Sequence, residues 1–449
     1  MKSIVAGFVL AYLRMFARLA LRLHRPQIIG ITGSVGKSSA RSLIYAAIRD
    51  HVATSVIEKG NSETGLPLGI LGLAPNNYTP ADWLRMIIQA PLGVSYLSGK
   101  KYLIAEMGID DPYPPKNMGY LLTILDPEIA VFLNVYPVHT MQFDKVVDPS
   151  LTDPVRRADE ILKAIAREKG KIVTDSHCRV AVYNADNRYV SEVVRSADRR
   201  INFFSYGQSR GNRISYESYR VSTDGTTFTF EFDGKQVPVE LKGFTLPEEY
   251  REIIAAALMV AVSIGIDIHS AVRSLQRNFS LPHGRGSLFQ GVKDTIIIDS
   301  SYNASKASIM AFLDLTERLA KQSRRPVTFI MGDMRELGEE AETEHREVAA
   351  RIKEVVDELY LVGPLTRQYV MPEVRDTVPF VKHFPNSIAA GEYVRMHVKE
   401  RSIVLVKGSQ NTIFLEEAVK RLLADKNDES HLCRQEDFWM KMKQDVTSS

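Results

Sequence analysis

Two cysteines, Cys178 and Cys433, are all that 449 residues contain. That is too few for a disulfide framework or a cysteine-rich metal centre, and a reducing cytoplasm is the simplest setting. No sign of charge dominates: 57 Lys and Arg stand against 54 Asp and Glu, a net charge of +3, with the signs mixed along the chain. A nucleic-acid-binding tail is therefore not expected. Internal repeats and low-complexity tracts are also lacking. The first apolar run, residues 4–13, is too short to cross a bilayer. Arginines rather than small residues come after it, which speaks against a cleaved signal peptide.

What the N-terminus does have is a helical charge pattern. Arg14, Arg18 and Arg22 recur every four residues, on a face opposite Leu13, Phe16, Leu19 and Leu23, with Leu21 near the arginines. Such a helix over residues 1–26 suits an anionic membrane surface, contacted through residues 4–23. It equally suits packing on the body of the protein or on a second subunit; oligomeric state is left open.

The length predicts two or three domains. From Gln27, apolar strand runs such as "QIIGIT", "YLIAEMG" and "IAVFLNV" alternate with helical stretches, one over 155–169. That is the pattern of an α/β domain with a mainly parallel sheet. Residues 200–242 alternate with period two around Asp224-Gly225 and Asp233-Gly234, so hairpins are expected there. "LPHGRGS" (281–287) reads as a hinge, after which a second, Rossmann-like α/β unit carries the strands "TIIIDSS", "VTFIMGD", "ELYLVG" and "SIVLVKGS". The expected domains are 27–285 and 286–425, with 426–449 a loosely attached polar tail holding Trp439.

"IIGITGSVGKSSARSLI" (28–44) places a glycine turn between a buried strand and a helix. The strict P-loop would require glycine at position 31, which is Ile; Gly33 and Gly36 form the turn instead. The chemistry is unchanged. Amides at a helix start cradle phosphate oxygens, Lys37 adds a positive charge, and Ser38 can ligate Mg²⁺. A central P-loop domain binding a nucleoside triphosphate is expected.

"TGSVGKSS" resembles the loop of the Mur ligases, the ATP-dependent amide-bond synthetases of bacterial cell-wall assembly. The resemblance continues in order along the chain after residue 27. "GNSETGLPLGILG" (60–72), "LIAEMG" (103–108), "FLNVYPVHTMQFD" (132–144) and "AIAREKGKIV" (164–173) are succeeded by "YNADN" (183–187) and "HGRG" (283–286). "IDSSYNAS" (298–305), "MGDMRELGEEAETEH" (331–345) and "VLVKGS" (404–409) complete it. The "GDMRELGE" and "KGS" pair points to the MurF branch, which adds D-alanyl-D-alanine.

The resemblance implies a ligase that makes an acyl phosphate from ATP and a carboxylate and passes the acyl group to an amine. It implies Lys37 on the β- and γ-phosphates and Ser38 on one Mg²⁺, with Glu106 and His139 on a second. Lys169 would carry a CO₂-derived carbamate that also holds metal. Thr32, Gly33, Ser34, Gly36 and Ser39 would line the phosphates. Asn61, Glu63 and Asn134 would border them, and Arg285, Asp299 and Asn303 would reach the nucleotide as the C-terminal domain closes. Asp333, His345 and Lys407 would place the amine. The implied substrates are a peptidoglycan-precursor peptide and a D-Ala-D-Ala-like dipeptide.

Four departures matter. "EEYREIIAAA" (248–257) lacks the His and Asn of the family's adenine-side segment, Ser300 replaces a second Asp, and Lys171 replaces a Glu. The usual UDP-binding domain, of roughly a hundred residues, is expected to be lacking ahead of the loop, so a lipid-linked carboxylate substrate becomes conceivable. Alternatives are a ligase for another acceptor, such as a polyglutamate type, and a non-catalytic nucleotide-binding scaffold.

Overall fold

The computed structural model describes residues 2–58, 60–76, 79–137, 140–335, 337–409 and 413–447. The chain is mixed α/β and divides into two compact units. One comprises residues 1–218, 229–239 and 251–279, and the other 219–228, 240–250 and 280–449.

A nine-stranded sheet lies mostly in the first unit, with residues 219–222, 225–228 and 240–242 of its last three strands grouped in the second. Its strands are β1 (Gln27–Thr32), β2 (Thr54–Val56), β3 (Tyr102–Glu106), β4 (Ile129–Phe132), β5 (Val180–Asn184), β6 (Asn202–Gly207), β7 (Ile214–Ser222), β8 (Gly225–Phe232) and β9 (Lys235–Lys242). They lie in the order β2-β3-β1-β4-β5-β6-β7-β8-β9, with every pairing from β2 to β7 parallel. β3 and β4 are buried along their whole length, as continuous apolar runs covered on both faces must be. The chain runs outward to one side of β1 and then to the other. Loops leaving the carboxyl ends of β1 and β4 therefore meet at a switch point, where open α/β sheets place ligands. β8 and β9 are joined by Asp233 (φ 50°) and Gly234 (φ 73°), the two left-handed residues that a tight hairpin turn demands.

Four helices of this unit shape the site and the outer surface: α1 (Lys2–His24), α2 (Lys37–Ile48), α3 (Gly65–Ile70) and α4 (Pro80–Gly93). α1 buries Leu13, Ala17 and Ala20 in the same core as β1 and β3. Arg14 donates to Tyr120 Oη (2.7 Å) and Thr123 Oγ1 (2.9 Å), and Arg18 to the Thr123 carbonyl (2.6 Å). Of the apolar residues read on one face, Leu13 is buried and Phe16 half-buried against the core, whereas Leu19 and Leu23 are exposed, so the helix packs on the body of the protein and keeps part of that face outward. No helix among the described residues is long and apolar enough to cross a membrane.

The second unit has six strands: β10 (Ser287–Gly291), β11 (Thr295–Ser300), β12 (Val327–Gly332), β13 (Glu358–Val362), β14 (Phe380–Phe384) and β15 (Ile403–Lys407). Their order is β10-β11-β15-β12-β13-β14, all parallel except the antiparallel edge strand β10.

The C-terminal segment is not the loose tail its composition predicts. It forms a 3₁₀ turn (Lys426–His431) and a helix (Asp437–Thr447). Arg434 makes a forked ion pair with the fully buried Glu416 (2.8 and 2.7 Å) and donates to the carbonyls of Ser301 (2.9 Å) and Tyr302 (3.1 Å). Lys443 bridges Glu416 and Glu417 at 2.9 Å each. Residues read as solvated charges thus neutralise one another inside the unit.

Candidate active site

In the first unit the site grows from the turn between β1 and α2. Gly36 caps α2 with φ 84°, a left-handed conformation that a side chain would strain. Asn134, just past β4, holds the turn: its Oδ1 accepts from the amides of Ser34 and Val35, both at 3.0 Å, and its Nδ2 donates to the Val35 carbonyl at 3.2 Å. Ser34 Oγ donates to the Tyr136 carbonyl at 3.1 Å. Lys37 folds over the turn, donating to the carbonyls of Gly33 (2.7 Å) and Ser34 (3.2 Å). Its pKa is lowered by burial, against the opposing pull of Glu106 and Asp110.

Near the start of α2, Ser38 donates to Glu106 Oε2 at 3.0 Å, at the carboxyl end of β3. The other oxygen of Glu106 pairs with Arg41 at 2.7 Å. Arg41 also donates to the carbonyls of Ile57 (3.0 Å) and Glu58 (2.8 Å), so it ties Glu106 to the segment leading to Asn61. Asn61 itself accepts the Gly108 amide through its carbonyl (2.9 Å). Arg41 is not among the residues expected from the sequence, although its place four residues after Lys37 on one helix is a usable signal.

Lys169 lies inside the helix Pro154–Thr174, only 2% exposed. Burial, then the charge of Lys37, lowers its pKa to about 7, while Asp110 pulls the other way. A lysine near a helix end is ordinarily solvated; this one is buried. Thr32 is buried, its hydroxyl donating to the Met107 carbonyl at 3.0 Å. Ser39 and Glu63 are half-buried at the edge of this region. His139 lies outside the described residues.

The second unit gathers its own cluster at the carboxyl ends of β11 and β15. Lys407 is buried and donates to Ser300 Oγ (2.9 Å) and the Asn303 carbonyl (3.0 Å). Burial, then Arg285, lowers its pKa to about 7, and Asp299 pulls it up. Ser300, where the resemblance leads one to expect Asp, therefore gives this ammonium a neutral partner. Arg285 stacks over the Tyr302 ring, 4.7 Å from its centroid. Asn303 turns its Oδ1 to the Ala304 amide (2.8 Å).

Asp299 is fully buried; Oδ1 accepts from the Ser301 amide (3.0 Å), whereas Oδ2 has no hydrogen-bond partner. Burial raises its pKa to about 6. The folded state therefore binds more protons than the unfolded chain between about pH 4 and 6, and Asp299 costs stability as the pH rises through that window. Asp299→Asn is expected to raise stability at neutral pH by roughly 1–3 kcal/mol and to flatten that pH dependence. Urea unfolding across the same range checks it; an unchanged pH profile would refute it.

Two expected amine-site residues are used by the fold itself. His345 is fully buried; its Nε2 accepts the Met334 amide (3.1 Å) and Nδ1–H donates to the Ala341 carbonyl (2.6 Å). Both ring nitrogens are consumed, so His345 brackets the 333–341 loop and has no ring donor left for a ligand. Asp333 Oδ1 accepts the Thr366 amide (2.8 Å), and Gly363 is required because a Cβ there would come 2.6 Å from that carboxylate.

Residues 284–410, which contain Arg285, Asp299, Asn303 and Lys407, match the family model "Mur ligase, glutamate ligase domain". The UDP-N-acetylmuramoyl-tripeptide–D-alanyl-D-alanine ligase of Escherichia coli is 24% identical over 406 residues, 88% of this chain and 76% of that protein. The chain is a homologue of the Mur ligases. The equivalent ligase of Buchnera aphidicola is 23% identical over 404 residues, covering 88% of this chain and 75% of its own. Among solved structures, the MurF ligase of Thermotoga maritima in complex with ADP superposes with a TM-score of 0.69 at 20% identity. The match covers 94% of this chain and 84% of that one. In this Mur ligase homologue both residue clusters sit at the carboxyl ends of parallel strands, the position expected for ligand binding.

Proposed function

We propose that the protein is an ATP-dependent ligase that joins an amine to a carboxylate through an acyl phosphate. One observation carries the reading. Lys37, Ser38 and Glu106 converge on a glycine turn at a helix start, and Lys169 is buried near enough for the charge of Lys37 to help lower its pKa. A nucleotide-binding scaffold has no use for that buried Lys169.

The turn and the start of α2 bind the triphosphate, and Lys37 moves from the loop carbonyls to the phosphates as charge accumulates there. The γ-phosphorus then bonds to a carboxylate oxygen of the substrate while its bond to the β–γ bridging oxygen breaks, releasing ADP. The amine attacks the acyl carbon, loses a proton to solvent or a base, and expels phosphate. Lys407, partly neutral near pH 7, is the second unit's candidate for orienting or deprotonating the amine.

Mg²⁺ is implied by the triphosphate, and the donors fit it: a hydroxyl and a carboxylate oxygen 3.0 Å apart, hard ligands both. Among the described residues no group of three His, Cys, Asp or Glu side chains forms a ready metal cage, which suits a cation held largely by phosphate oxygens and water. Ser38 and Glu106 would hold it, aided by His139 and Lys169; bound, it neutralises charge between the triphosphate and the carboxylate.

Lys169 is the proposed carbamate site. A neutral amine adds to the carbon of CO₂, forming an N–C bond and giving up a proton. With a pKa near 7, the neutral fraction grows as pH rises through 7. Activity should therefore increase with bicarbonate and with pH across that point. A ¹³C-bicarbonate carbamate resonance should appear in wild type and vanish in Lys169→Met; its absence from wild type would end this assignment.

The substrate reading extends to a muramoyl-peptide carboxylate and a D-Ala-D-Ala-like amine, supported by the names of the relatives. Phosphate release measured with UDP-linked, lipid-linked and free muramoyl peptides plus D-Ala-D-Ala tests it. Release without amide product on every acceptor would refute the substrate class.

A further inference from the structure

α1 and α4 pack against each other on the core of the first unit, α1 through Leu13, Ala17 and Ala20, α4 through Met86 and Ala90. His24 at the end of α1 hydrogen-bonds the Val94 carbonyl just past α4 (2.9 Å). Their outward sides are apolar. Phe8, Met15, Leu19 and Leu23 are exposed on α1 (49–74%). Leu84, Ile88 and Leu92, spaced by four, make one ridge on α4 with exposures of 58, 65 and 77%. With Tyr96 beyond, this surface holds eight of the seventeen exposed large hydrophobic side chains among the described residues. Scattered exposed apolar residues are ordinary, but a concentration of this size marks a contact surface.

The charge around the patch selects its occupant. No Asp or Glu occurs before Asp50. Over residues 80–101 the one acid, Asp82, is buried and paired with Arg85 at 2.7 Å. Arg18, Arg22, Arg25, Lys100 and Lys101 are exposed, and the Gln27 amide bonded to the Lys101 carbonyl (2.8 Å) places the lysines beside the end of α1. A two-fold contact between copies would set this cationic rim against itself. An anionic lipid surface offers acyl chains to the ridges and phosphates to the rim.

We propose that the α1–α4 face seats the protein in the headgroup plane of an anionic bilayer, lying on it without crossing it. The inference is independent of the ligase reading. It also sorts the cations: Arg14 is used inside the fold, Arg18 is exposed but tied to the Thr123 carbonyl, and the rim from Arg22 to Lys101 meets the lipid.

Flotation of the full chain with phosphatidylcholine vesicles, with and without a minor fraction of phosphatidylglycerol, tests it. Binding is expected only to the anionic vesicles and should weaken with salt. Ile88→Glu with Leu92→Glu should lower that binding by roughly tenfold or more with an unchanged thermal transition, while Val155→Glu, at an exposed site on another helix, leaves it intact. Failure of wild type to float, equal binding by the α4 variant, or a wild-type dimer dissolved by that variant would overturn the proposal.

Discussion

Lys37→Ala is expected to lower acceptor-dependent phosphate release from ATP by roughly 10²–10³-fold, the loss typical of removing one preorganised charge partner of a transition state. Its ammonium already sits against the turn, 2.7 Å from the Gly33 carbonyl, and is partly desolvated there. It therefore needs little reorganisation to meet a phosphate. Lys37→Arg should not rescue the activity, because a planar guanidinium cannot occupy the compact position of an ammonium above two carbonyls. Lys169→Ala should lose activity in the same assay without weakening ADP binding to the same extent, since its proposed role lies beyond the nucleotide. Equal background release by wild type and both alanine variants would leave only a nucleotide-binding scaffold.

Arg434→Met should destabilise the second unit by about 3–5 kcal/mol, the usual cost of breaking a buried pair from one side. Glu416 would keep Lys443 but lose its forked partner, and the carbonyls of Ser301 and Tyr302 would lose a donor. The chain has two tryptophans, Trp83 and Trp439. In a Trp83→Phe background, Trp439 reports on the second unit alone and avoids assuming that both units unfold together. Urea titration of that fluorescence gives the loss, and adding Glu416→Gln should cost less than the sum of the single changes. A shift below about 1 kcal/mol would mean that the pair behaves as a solvated one.

Much of the frame was legible because it is local. A strand, a glycine turn and a helix within twenty residues specify their own geometry, as do the Asp-Gly hairpins and the uninterrupted apolar strands of a covered sheet. The partners of polar side chains were less legible. Arg41 and Glu106 lie far apart in sequence and meet only because β1 and β3 pair; His345 reads as a ligand until the backbone groups beside it consume both nitrogens. Arg434 and Lys443 read as solvated charge until Glu416 is found buried beside them.

The sequence by itself determined the alternation of strands and helices, the phosphate-type turn with Lys37 and Ser38, and the likeness to the Mur ligases, because each is written in contiguous residues. Only the tertiary structure decided that Lys169 and Lys407 are buried enough to lose protons near neutrality, that the C-terminal segment is part of the second unit, and which side of α1 faces outward. Those outcomes depend on desolvation and on charges brought together from distant positions, and neither composition nor spacing encodes them.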